Sequence, residues 1–91
     1  MQKKYLAKRE KDYSGIDMEL FELLRAKRAQ IAQSKRVPAY IIFGDKTLRD
    51  MALKKPSTME ELSQIYGIGE FKLKTYGKIF LDVINGQFSV V

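Results

Sequence analysis

Ninety-one residues lie within the size of a single domain, and a chain this short buries only about 60 to 65 % of its unfolded surface, leaving little room for a deep multi-substrate cavity. Cysteine and histidine are both absent, which excludes disulfides, thiolate nucleophiles, zinc fingers and imidazole bases together. Seventeen Lys and Arg against eleven Asp and Glu give a formal charge of +6, an excess that suits a polyanion whose neutralised phosphates release counterions, although it also serves solubility.

Residues 1–14 read as a basic linker or N-terminal tail. Lys3, Lys4, Lys8, Arg9 and Lys11 face only Glu10 and Asp12 there; such a segment either contacts phosphate or is simply solvated. Met1-Gln2-Lys3-Lys4 leads into no apolar h-region, and no apolar run approaches the roughly 18 to 20 residues of a bilayer span. An intracellular protein, in the cytoplasm or nucleoid of a bacterium, or an excised fragment of one, is therefore expected, with no membrane. A single folded domain is expected over residues 15–86.

Ile16, Leu20, Leu23, Leu24 and Ile31 recur at helical spacing, predicting an amphipathic helix over 16–33 with early acids and late bases matching its dipole. It should end before Pro38, because the residue preceding a proline is pushed out of the α region. Residues 39–43 are too apolar to stand exposed and predict a short helical turn opened by Pro38. Asp45 is the expected N-cap of a helix over 46–54 with Leu48, Met51 and Ala52 inward, closed by Lys55-Pro56.

Ser57 with Glu60 and Thr58 with Glu61 form two overlapping capping boxes, predicting a helix through Leu62 and Ile65 to Tyr66. Gly67-Ile68-Gly69 stops it. A last helix is expected over 70–85, with Gly86 as its stop. Residues 87–91, a C-terminal tail, offer the sole strand-like pattern. The fold class is all-α: a compact bundle of four helices plus one short helical turn, five in all.

The chain contains no GxxxxGK[ST] phosphate loop. Glu60 and Glu61 are adjacent and fit capping, while Asp45 and Asp50 fall on different helix faces, so neither pair makes a metal set. No catalytic residue, metal or cofactor is expected. The candidate chemistry is nucleic-acid binding. Gly67 and Gly69 let a backbone approach a phosphate, with Lys72 and Lys74 nearby, or else serve only as a tight helix–helix turn. Lys74 and Lys78 are like charges at i,i+4, easier to explain beside a phosphate than as a solvated face. Tyr40, following Lys35, Arg36 and Pro38, offers a ring for base stacking beside charges for phosphates; the alternative is a half-buried ring with its hydroxyl outward.

Leu20-Phe21-Glu22-Leu23-Leu24-Arg25, Val37-Pro38-Ala39-Tyr40-Ile41-Ile42-Phe43 with Asp45-Lys46-Thr47-Leu48, and Gly67-Ile68-Gly69 with Lys72-Leu73 and Tyr76-Gly77 together resemble the HRDC domain, the helicase-and-RNase-D C-terminal module, of RecQ-type DNA helicases. The resemblance covers residues 18–85. Ala39 stands where the family often has a second proline.

It implies a five-helix auxiliary domain that binds single-stranded or partly duplex DNA weakly and steers its parent helicase, the catalysis belonging to ATPase domains elsewhere. It also carries the family's DNA-contacting tyrosine onto Tyr40, with Lys35 and Arg36 as the nearest charges. Two other roles are consistent with the resemblance. One is a protein-interaction module docking on its own helicase core or on a partner; the other is the RNA-binding C-terminal domain of a ribonuclease D-like exonuclease. With no exposed heptad or long edge strand, a monomer is expected.

Overall fold

The computed structural model describes residues 15–86. The expected basic segment 1–14 and the tail 87–91, with its strand-like pattern, lie outside the described residues. Five helices follow in order: α1 Met18–Lys35, α2 Ala39–Ile42, α3 Asp45–Lys54, α4 Met59–Leu62 and α5 Glu70–Ile84. Helix α1 packs on α2, α3 and α5, while α4 packs on α5. None of these helices is long and apolar enough to cross a membrane.

Asp17 caps α1, its carboxylate accepting the Leu20 N–H at 3.0 Å. The buried face is Leu20, Phe21, Leu24, Arg28 and Ala32. Leu23, expected inside, is exposed, and Phe21 takes its place. The two are two residues apart, about 160° around a helix, so only one can face the core. The helix ends one step before the anticipated proline effect acts. Arg36 turns left-handed at φ 60°, and the Val37 N–H donates to the Ala32 carbonyl at 3.0 Å, closing the last turn in the manner usually given to glycine.

Asp45 does not cap α3. Gly44 occupies that position and Asp45 is the first helical residue, because its carboxylate is drawn to Arg28 Nη1 at 2.8 Å. The same Arg28 Nη1 donates to the Phe43 carbonyl at 3.0 Å. Arg28 itself is only 8 % exposed, so one buried guanidinium ties α1 to the α2–α3 junction. Leu48, Met51 and Ala52 are buried as expected, joined by Thr47. Helix α3 ends at Lys55, left-handed at φ 49°, whose ammonium reaches Asp17 Oδ2 at 3.2 Å.

Of the two capping boxes only Thr58 forms a cap, accepting the Glu61 N–H at 3.1 Å. The Glu61 carboxylate turns back to the Ser57 N–H at 2.8 Å instead, and the box of Ser57 with Glu60 is not made. Helix α4 stops at Leu62 rather than Tyr66. Ile65 folds into the core, and the Tyr66 N–H leaves the helix to donate to Asp50 Oδ2 on α3 at 3.0 Å. On α5, Tyr76, Gly77, Phe80, Leu81 and Val83 are buried. A Cβ at Gly77 would lie 3.0 Å from the Met59 side chain, so this glycine lets α4 sit close on α5.

Replacing Arg28 by Ala should lower the unfolding free energy by about 2 to 3 kcal/mol in urea titrations, through a buried carbonyl left unpaired and lost packing of the aliphatic stem. Asp45→Ala should cost about 1 to 2 kcal/mol, because the carboxylate is largely exposed but its loss leaves the buried guanidinium only the Phe43 carbonyl. The Leu20 N–H and then Lys55 hold the Asp17 carboxyl below its ordinary pKa of 3.8. Its contribution should be intact above that value and lost as the pH falls through the depressed folded-state value. An NMR titration of the Asp17 side chain checks this by its low midpoint.

Candidate nucleic-acid interface

Helix α2 is one turn whose apolar residues divide by direction. Ile42 and Phe43 point into the core, while Tyr40 is 68 % exposed and Ile41 is also exposed. The tyrosine side chain therefore stands largely in solvent. Its position is fixed from below by Phe43, which meets Tyr76 edge-on at 6.0 Å and Phe80 at 5.1 Å between ring centroids. Such edge-to-face contacts add about 0.5 to 1.5 kcal/mol each beyond area burial.

Two lysines distant in sequence meet over these rings. Lys35 Nζ, at the end of α1, lies 5.9 Å from the Tyr76 centroid. Lys72 Nζ, in the first turn of α5, lies 5.7 Å from the Phe43 centroid. Each ammonium thus lies within cation–π range of its ring. Arg36 is exposed next to Lys35. The structure thus brings Lys35 and Lys72 onto the joined Tyr76 and Phe43 rings, with Arg36 next to Lys35 in sequence and Tyr40 three residues before Phe43.

Lys74 and Lys78 do not join them. At about 100° per residue, Lys74 lies about 160° and Lys78 about 120° around α5 from Lys72. Both are exposed, and Lys78 is engaged by Asp82 at 3.1 Å. That ion pair answers the like-charge puzzle without a phosphate. The lysine cluster anticipated on this helix is therefore two separate groups.

The glycines of the turn differ as well. Gly67 has φ +79°, and a Cβ there would fall 2.5 Å from Oγ1 of the buried Thr47. Both backbone and space demand glycine. Gly69 caps α5 with φ −92° and no side-chain cap bond, and a Cβ on it would meet nothing within 4 Å. Its bareness leaves the first N–H groups of α5 open to solvent.

Arg28 was not anticipated as a structural determinant. Its signal was a cation four residues after Leu24 and four before Ala32, in line with the apolar stripe. Among the described residues, no group of three or more His, Cys, Asp or Glu is placed to hold a metal. Gly67→Ala should cost more than about 1 kcal/mol from the positive φ and the Thr47 contact. Gly69→Ser should raise stability by roughly a few tenths of a kcal/mol as a better cap. Thermal unfolding of the two variants measures the contrast.

Residues 17–84 match the HRDC domain family. The ATP-dependent DNA helicase RecQ of Bacillus subtilis is 46 % identical over 67 residues, covering 74 % of this chain and 11 % of that protein. That of Haemophilus influenzae is 43 % identical over 78 residues, covering 86 % and 13 %. The chain thus spans about an eighth or less of these relatives. Among solved structures, HRDC domain 3 of D. radiodurans RecQ superposes with a TM-score of 0.71 at 30 % identity, covering 84 % of this chain and 95 % of that one. An all-helical bundle with this family match and these relatives belongs to the HRDC domain family, in the form carried by RecQ helicases.

Proposed function

We propose that this domain is a non-catalytic, nucleic-acid-binding accessory of a RecQ-type ATP-dependent DNA helicase. It holds single-stranded or partly duplex DNA weakly and so biases which structures the motor engages during repair and recombination. The observation that carries this reading is the exposed Tyr40 ring three residues before Phe43, over whose ring Lys72 lies, with Lys35 over the adjoining Tyr76 ring. A flat ring accepts the π-face of any base, and the cations of Lys35, Arg36 and Lys72 neutralise the flanking phosphates, the combination by which single strands are held without sequence preference.

Gly69 extends the same surface. Lys72 lies three residues into the helix that Gly69 opens, so a strand stacked on Tyr40 and neutralised by Lys72 passes near uncapped N–H groups. Gly67, in contrast, acts through the fold by shaping the turn. The affinity follows from scale. One stacking ring and three phosphate contacts, set against the cost of immobilising a strand, give a Kd on the order of micromolar or weaker.

Fluorescence anisotropy with oligothymidine at several salt concentrations tests the reading. Three neutralised phosphates give a log–log salt slope of about −2 for a single strand, and Lys72→Ala should reduce its magnitude by about 0.7. Tyr40→Ala should weaken binding by about 1 kcal/mol or more with an unchanged melting temperature. Affinity indifferent to salt and to Tyr40 would point instead to docking on protein, and tighter binding of oligouridine than oligothymidine to an RNA substrate.

A further inference from the structure

A second ring stands in solvent away from Tyr40. Phe71, in the first turn of α5, is 73 % exposed, more than any other large apolar side chain among the described residues. Its backbone is fixed, the Phe71 carbonyl accepting the Thr75 hydroxyl at 2.7 Å. No ring or cation packs on it among the described residues. The bundle closes through Tyr76, Phe80 and Val83 on the other side of the helix, so the core has no use for this phenyl group.

Its surroundings define what it fits. By helical geometry Lys78, Asp82, Thr75 and Lys74 all lie within about 60° of it around the axis. A protein-docking anchor is normally ringed by further apolar surface that excludes water. Among the described residues of α5, those within about 60° of Phe71 are all polar. An isolated ring among polar groups matches a nucleobase instead, which covers the ring with its π-face while its edges stay hydrated. Lys78 is engaged by Asp82. Lys74, one turn from the ring, makes no ion pair among the described residues and is the cation available to a phosphate beside the stacked base. Asp82 on the same side of α5 offsets the charge of Lys78, so stacking rather than charge dominates here.

We propose that Phe71, with Lys74, is a second stacking site for a base of single-stranded nucleic acid, on a face of α5 distinct from that carrying Lys72. The inference rests on the reading of this domain as a nucleic-acid-binding module and adds a separate contact to it. Two weak contacts on one rigid domain make the second binding event intramolecular. Affinity should therefore rise steeply once a strand is long enough to reach both rings.

The chain contains no tryptophan, so Phe71→Trp places a single indole reporter at the proposed site. Titration with oligothymidine should quench its emission saturably, and the quench should persist when Tyr40→Ala is added. In the otherwise native chain, Phe71→Ala should weaken binding of a long oligothymidine about fivefold, with an unchanged melting temperature. Oligothymidine that shifts the NMR signals of Lys35 to Tyr40, yet leaves both the indole emission of the Phe71→Trp variant and the affinity of the Phe71→Ala variant unchanged, would overturn the second site alone. Absence of any response, at either ring, would overturn both readings.

Discussion

The guanidinium of Arg28 is the point on which the remaining arrangement depends. It lies within the otherwise apolar stripe of α1, donates to the Phe43 carbonyl and pairs with Asp45. A charge in such a place costs several kcal/mol unless it is paired and hydrogen-bonded. Its Nε still lacks a partner, so the two partners at Nη1 carry that compensation. They are the residues flanking Gly44, where α2 gives way to α3. The polar contact therefore fixes the bend between these helices, which hydrophobic burial alone would leave free to slide.

From that bend the rest follows by contact. With the Phe43 carbonyl held, its ring enters the core edge-on to Tyr76 and Phe80, which seats α5 against α1. The same seating brings Lys35 and Lys72 over neighbouring rings and turns Tyr40 outward. A structural ion pair and a candidate binding surface are thus two ends of one chain of packing. The candidate surface stands directly on the core through the Phe43 and Tyr76 rings.

The turn between α4 and α5 shows how similar residues take different work. Gly67 is required by a positive φ and by Thr47 beneath it, whereas Gly69 is required by neither. Asp50 on α3 holds the Tyr66 N–H at the entrance of the turn, so the start of α5, and with it both Lys72 and Phe71, is positioned from a third helix.

The periodicity of apolar residues, the prolines and glycines, and the Thr58 cap were enough to place five helical elements in order. These signals act between residues a few positions apart, so the sequence carries them directly. Whether the tyrosine after Val37-Pro38 stands exposed or half-buried was not legible in this way, since both arrangements fit the local pattern. What the sequence left open was decided between helices. Leu62 rather than Tyr66 ends α4 because Asp50, sixteen residues away, offers the Tyr66 N–H a better partner. Asp45 is an ion-pair partner rather than a cap because Arg28 lies beneath it. Lys72 parts from Lys74 and Lys78 because only one side of α5 faces the Phe43 ring. Each outcome is a competition between a local partner and a distant one, and only the packed chain brings the distant one within reach.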